Sequence, residues 1–267
     1  MKKLIKTDFA IMNLQSHICG IFFYTIEYYN YLLNNNFNIY LITSFPRSIY
    51  NFYIRDKYNI EKLNKKFFKN IIYIKNHDTI FDIENLIILD YTTFNNLKEK
   101  FIFRKLFYNY GNDLDSLNES FYEKYQNFKK EVITFGDKEL ELKVDYHYPL
   151  CLDFSIFKEI KKISNNVFYE KKSNNIFDRK RGLKNFHKIF NKYIYDIKDF
   201  YDRANRLIPE CKFYNKEIEL INYNKNDSIL LRYNRSWKDY DLNNFISPDT
   251  NLTFAQFIKN FQFRKAK

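Results

Sequence analysis

Apolar positions along this chain switch between two periods, and the switches mark out its elements. Residues 21–33 carry apolar side chains at helical spacing, and the run Asn34-Asn35-Asn36 ends that helix. Residues 37–42 then read as a buried strand. A basic, aromatic stretch predicts a helix over 56–68. Residues 70–74 and 85–89 are apolar runs of strand length, and 92–108 carries a helical pattern. A further helix is expected over 114–130. An alternating hairpin is expected over 132–144, turning at Gly136-Asp137-Lys138.

The second half continues the alternation. A short helix is expected over 154–163, strands at 167–169, 193–197, 217–221 and 229–232, and helices at 183–190, 206–214 and 251–263. Strands alternating with helices imply a mostly parallel sheet covered on both faces. Ligands of such sheets sit at the carboxyl ends of the strands, which puts the loops near Gly20 and after Asp90 at a site. The irregular stretch 145–150, with Pro149, is the expected boundary. It divides an α/β chain into one domain over 1–149 and a second over 150–267, whose terminal helix crosses back.

Composition changes this picture only a little. A chain of 267 residues, 45% hydrophobic, suits two compact α/β domains with real cores. Phe and Tyr are common while Gly and Pro are scarce, the usage of a very AT-rich genome. The formal charge of +12 invites a nucleic-acid or anionic-membrane partner. AT-rich coding supplies lysines as well, and these are scattered among acidic residues. Cys19, Cys151 and Cys211 are far apart and odd in number, so a disulfide framework is not expected and a reducing compartment fits. Lys6 and Asp8 interrupt any signal-peptide core, and 18–33 is too short and polar to span a bilayer. The expectation is a cytoplasmic protein, with peripheral membrane contact left open.

The stretch 201–218 carries the chemistry. It reads as a polar loop, a short helix, a turn and a strand. Asn205 suits an N-cap, and Pro209 is tolerated in a first turn. Arg203 and Arg206 offer guanidinium donors for a diphosphate, and Glu210, one turn further in, can accept two hydrogen bonds from a ribose diol. A solvated helix start with surface ion pairs would use the same residue types.

Asp202 and Glu210 are separated by seven residues at a helix start, followed by the turn Asn215-Lys216 and a strand. This pattern resembles the donor loop of GT-B glycosyltransferases of bacteria and phages. Two weaker likenesses flank it. Pro149-Leu150-Cys151-Leu152-Asp153-Phe154-Ser155-Ile156-Phe157 is similar to the passage opening the second domain of that class. Arg179-Lys180-Arg181-Gly182-Leu183-Lys184 resembles its basic, phosphate-contacting loop. The resemblance implies two Rossmann-like domains facing a cleft, an acceptor side over 1–149 and a nucleotide-sugar side over 150–267. It assigns the donor ribose to Glu210 and the sugar, in retaining members, to Asp202. Arg203, Asn205, Arg206, Arg179, Lys184 and the Gly20 loop fall on the donor. It also implies His17, before the first helix, as the base of an inverting enzyme, with Asp90 as the alternative.

The activity so implied moves a sugar from a nucleotide sugar to a hydroxyl of a surface glycan, a lipid-linked sugar or a modified DNA base. The nucleotide sugar is a co-substrate, and no cofactor or metal is required. The loop departs from the family in having Asp202 in place of the usual glutamate and no glycine, so the arginines would have to take over phosphate contacts. Asp113-Leu114-Asp115 and Asp239-Tyr240-Asp241 match a metal-binding D-x-D, at the frequency chance gives in this composition. Spacings for zinc and Walker-type loops are absent. From a different class, a non-catalytic basic protein that binds nucleic acid through lysines and stacked aromatics stays open.

Overall fold

The computed structural model describes residues 3–15, 19–45, 54–55, 57–74, 79–97, 100–109, 131–137, 144–161, 163–170, 186–198, 205–227 and 229–262. The chain divides into two compact units. The first comprises Met1–Phe45, Asn64–Cys151 and Phe245–Lys267, and the second Pro46–Leu63 and Leu152–Asn244. Each end of the sequence therefore belongs to the first unit, and a piece from the first half of the sequence belongs to the second.

The first unit is built on β1 (Lys3–Asn13), β2 (Ile39–Thr43), β3 (Ile71–Tyr73), β4 (Thr79–Ile88), β5 (Phe101–Asn109), β6 (Glu131–Gly136) and β7 (Tyr146–His147). Among the described residues these seven strands form one sheet in the order β3-β2-β1-β4-β5-β6-β7, every neighbouring pair parallel. The chain leaves β1 on one side to β2 and β3, then returns on the other side to β4. That reversal places a topological switch point between β1 and β4. The architecture is Rossmann-like α/β, and the strands read as near-continuous apolar runs because parallel sheets are covered on both faces.

Where the strands project beyond this core their alternation changes phase. The β1–β4 register runs from Lys3↔Thr79 to Thr7↔Ile83 and resumes at Phe9↔Asn85, and β4–β5 likewise resumes at Asn85↔Lys105. Asp8, Glu84 and Arg104 fall in the gap. Consequently Phe81 and Ile83 face the same apolar cluster as Leu86 and Ile88, and Phe101 and Phe103 the same one as Leu106 and Tyr108. The amide of Asn85 fills the break by donating to the Asp8 carbonyl at 3.0 Å.

Helix α1 (Gly20–Asn34) is buried from Phe22 through Leu33. Tyr28 packs edge-on against Phe254 at 4.9 Å, and the Tyr29 hydroxyl donates to the Phe67 carbonyl at 2.9 Å. Its end is a Schellman turn: Asn36 takes φ 65°, Phe37 N–H bonds the Leu32 carbonyl, and Asn36 N–H bonds Leu33. The last helix of the first unit, α5 (Phe254–Gln262), buries Phe254, Phe257, Ile258 and Phe261. Phe257 meets Tyr148 at 4.5 Å and Tyr146 at 5.0 Å. Lys105 of β5 donates to the Phe261 carbonyl in the last turn, placing a cation where the helix dipole favours one.

The second unit holds β8 (Val167–Glu170), β9 (Lys192–Asp196) and β10 (Glu217–Ile221), paired in parallel in the order β10-β9-β8. Helix α3 (Leu207–Phe213) connects β9 to β10 and α4 (Ile229–Asn234) follows. α3 also ends in a Schellman turn, with Asn215 at φ 54° and Lys216 N–H on the Cys211 carbonyl at 2.9 Å. Its apolar face joins Phe190, Tyr193, Tyr195, Leu207, Ile208, Cys211 and Ile229 in one core.

Several elements differ from the sequence reading. Among the described residues of the expected 92–108 helix, α2 (Tyr91–Asn95) is helical and 101–108 belongs to β5. The hairpin over 132–144 is replaced by β6, which pairs in parallel with both neighbours; residues 138–143 lie outside the described set. The 229–232 strand is helix α4, and the described residues of 56–68 include a 3₁₀ turn at Ile60–Lys62. The helix expected over 114–130 lies outside the described residues, as does the 183–185 part of that expected over 183–190, whose described part holds a 3₁₀ turn at Phe186–Lys188.

Packing of α5 makes a stability prediction. Phe257→Ala should cost about 3–5 kcal/mol in urea unfolding, the range for a buried Phe truncation. Asn260→Ala, at an exposed position of the same helix, should stay within about 0.5 kcal/mol.

Candidate functional site

The second unit gathers its charges around one carboxylate. Glu210 lies one turn into α3 and has no solvent exposure. Its Oε1 accepts from Arg206 Nε at 2.5 Å and from Lys57 Nζ at 2.5 Å, and its Oε2 meets His187 Nε2 at 2.7 Å. Arg206 and Glu210 are an i, i+4 pair on adjacent turns. Lys57 arrives from the 46–63 piece and His187 from a 3₁₀ turn at Phe186–Lys188 before β9.

Burial alone would raise the Glu210 carboxyl. The charges of Arg206 and Lys57 and the hydrogen bond from His187 outweigh it and hold the group ionised, well below the usual carboxylate range. His187 goes the other way. Burial pushes its imidazole down to about 4 against the pull of Glu210, so at neutral pH the ring is uncharged. An ionised carboxylate only accepts, so the neutral ring carries its proton on Nε2 and donates it to Oε2. Nδ1 is buried and has no hydrogen-bond partner among the described residues. This contact is a charge-assisted hydrogen bond rather than an ion pair.

Lys216 closes the cluster from the end of the Schellman turn. Its ammonium donates to the carbonyls of His187 and Phe190, both at 2.7 Å, and stands over the Phe190 ring. Burial lowers Lys216 to about 8, and burial raises the neighbouring Cys211 thiol.

A second group sits at the carboxyl end of β8. Glu170, the last residue of that strand, accepts from the Tyr193 hydroxyl, and Asn205 Nδ2 bonds the Tyr193 oxygen at 3.0 Å. Asn205 Oδ1 accepts Leu207 N–H at 2.9 Å in the turn before α3, whose N-cap position is taken by Arg206 rather than by the expected Asn205. At the ends of β9 and β10, Asp196 accepts from Tyr169 at 2.9 Å and from Asn222, whose φ is 57°.

In the first unit Gly20 opens α1, and Asp90 caps α2 by accepting Thr93 N–H at 2.7 Å. Gln15, just after β1, bridges the switch point: its amide donates to Asp90 at 3.1 Å and its oxygen meets the Cys19 thiol. Asp90 and the Gly20 turn thus stand together where a ligand of such a sheet would bind.

The structure puts Arg206 on Glu210 and Asn205 with Glu170 and Tyr193 in the second unit, and in the first it links Asp90 through Gln15 to Cys19, which precedes Gly20. His17, Arg179, Lys184, Asp202 and Arg203 lie outside the described residues. Sequence reasoning missed Lys57, His187, Glu170 and Gln15. Lys57 and His187 are 153 and 23 residues from Glu210, and neither sits in a motif. Among the described residues no group of three or more His, Cys, Asp or Glu side chains could hold a metal ion, and no helix is long and apolar enough to cross a membrane. Comparisons with protein-family models, with curated proteins and with solved structures find no match for this chain.

The buried His187–Glu210 pair sets a pH dependence. The folded-state value of His187, about 4, is below the usual 6.5. Its contribution to stability is therefore complete above about pH 6.5 and lost as pH falls towards 4, by roughly 3 kcal/mol. Urea unfolding at stepped pH should show this loss, and His187→Gln should flatten it. Glu210→Ala should destabilise the protein by about 3–5 kcal/mol at pH 7, because it strands the buried Arg206 charge.

Proposed function

We propose that this chain is a nucleotide-sugar-dependent glycosyltransferase of GT-B type. In this reading the second unit binds the donor and the first takes the acceptor. The observation that carries it is the ionised Glu210, fully buried beside Arg206 in α3, at the end of the Asp202-to-Glu210 sequence pattern. A carboxylate held ionised away from bulk water accepts the two hydroxyls of a ribose strongly, since charge-assisted hydrogen bonds are about twice as strong as neutral ones. Two parallel α/β units, one with a switch point at β1 and β4, further support a ligand-binding role for strand ends.

In the reaction the bond between the sugar's anomeric carbon and the phosphate oxygen breaks, and the acceptor oxygen bonds to that carbon. The acceptor's proton passes to a base, His17 or Asp90, in an inverting enzyme. In a retaining one it passes to the departing phosphate, with Asp202 at the sugar. Arg203 and Arg206, with Arg179 and Lys184, would stabilise the negative charge that grows on the diphosphate. The acceptor is a glycan, a lipid-linked sugar or a modified DNA base.

A thermal-shift screen against nucleoside diphosphates and nucleotide sugars tests this reading. At a hundredfold excess over Kd, binding to the native state adds about 2.7 kcal/mol. One nucleotide class should therefore raise Tm by several degrees. No shift with any nucleotide, together with a clear shift from single-stranded DNA, would instead support the basic nucleic-acid-binding class.

A further inference from the structure

The Glu210 carboxylate has all its described partners in place, so a ribose can reach it only by exchange with one of them. Arg206 cannot yield easily: it stands four residues before Glu210 on adjacent turns, with a side chain only 4% exposed. His187 is equally enclosed, packed against Phe186, Phe190 and Tyr214. Lys57 differs on three counts. It comes from a separate segment of the chain, its side chain is 17% exposed, and its ammonium ends a flexible four-carbon stem. It also shares Oε1 with Arg206, so two cations crowd one oxygen. Its ammonium also stands 5.9 and 5.8 Å from the ring centroids of Tyr58 and Phe157.

Resting on the donor reading above, we infer that Lys57 is the exchangeable partner of Glu210 and a phosphate-binding residue for the nucleotide. Without nucleotide, Lys57 neutralises the carboxylate. A ribose diol takes its place on Oε1, and the displaced ammonium, still beside the site, pairs with the diphosphate. The exchange keeps Glu210 hydrogen-bonded in both states, so neither state leaves a buried charge unsatisfied. It also explains how a sealed carboxylate and a ligand-binding one can be the same group. Lys57 thereby couples recognition of the sugar ring of the nucleotide to recognition of its phosphates.

The test is isothermal titration of the full chain with ADP, CDP, GDP and UDP and with the four corresponding nucleosides. Wild type, Lys57→Met, Lys57→Gln and Lys57→Arg are compared, with melting curves for each. The nucleoside diphosphate that binds wild type should bind Lys57→Met at least about tenfold more weakly, the loss of one charged hydrogen bond. Affinity for the parent nucleoside should change much less, and Lys57→Arg should recover most of the diphosphate affinity. If Lys57→Met does not fold, Lys57→Gln, which keeps a donor to Glu210, carries the same comparison. Unchanged or tighter diphosphate binding in a folded Lys57→Met or Lys57→Gln protein would overturn the role of Lys57 and leave the donor reading standing. Failure of wild type to bind any of the four diphosphates would overturn both.

Discussion

A fully buried carboxylate dictates much of the second unit. Moving an isolated ionised carboxyl out of water costs several kcal/mol even after relaxation, so Glu210 must be supplied with donors from wherever the chain can bring them. Arg206 comes from its own helix, His187 from the turn before β9, and Lys57 from a segment far away in sequence. Each contact fixes a separate piece of backbone. The 54–63 segment is further tied by Asn59 N–H on the Ile156 carbonyl at 2.7 Å and by the bridge between Tyr58 and Phe157. Lys216, pinned to two carbonyls before β9, holds the exit of α3 against the entry to β9. One charge thus organises the segments that flank the three-stranded sheet.

The first unit solves a different problem. Its parallel strands need cover on both faces, and the face towards α1 and α5 is sealed with aromatic rings, Phe107, Phe257 and Phe261 among them. Polar residues are then left to the strand ends. Asn13, Gln15, Thr43, Asp90 and Asn109 are all buried at or just past the carboxyl ends of adjacent strands. The same division of labour, apolar along the strand and polar at its end, places Glu170 and Asp196 in the second unit. It is how a parallel sheet supplies a site without weakening its core.

Much of this was legible in the sequence, and the failures have physical causes. α1 was readable because thirteen residues keep one period and an asparagine run supplies the left-handed turn that ends them. β5 was read as helix because the break at Arg104 sets Phe103 and Leu106 on one face, and a spacing of three mimics a helical repeat. α4 was read as strand because Ile229, Leu230 and Leu231 are a short apolar run, which periodicity cannot assign. At the site, Arg206 and Glu210 stood out because both fall in the Asp202-to-Glu210 pattern at a helix start. Lys57 and His187 did not, since their meeting with Glu210 depends on tertiary folding and leaves no local trace.

In the donor reading Glu210 is at once the buried anchor of the second unit and the group that meets the nucleotide. The side-chain carboxyl resonance of Glu210, in protein labelled with 13C-glutamate and assigned by Glu210→Gln, reports on this directly. On saturation with the nucleoside diphosphate the protein binds, that resonance should shift as ribose hydroxyls replace the Lys57 ammonium. Saturable nucleotide binding with the Glu210 resonance unmoved would contradict the account and leave the carboxylate a purely structural charge.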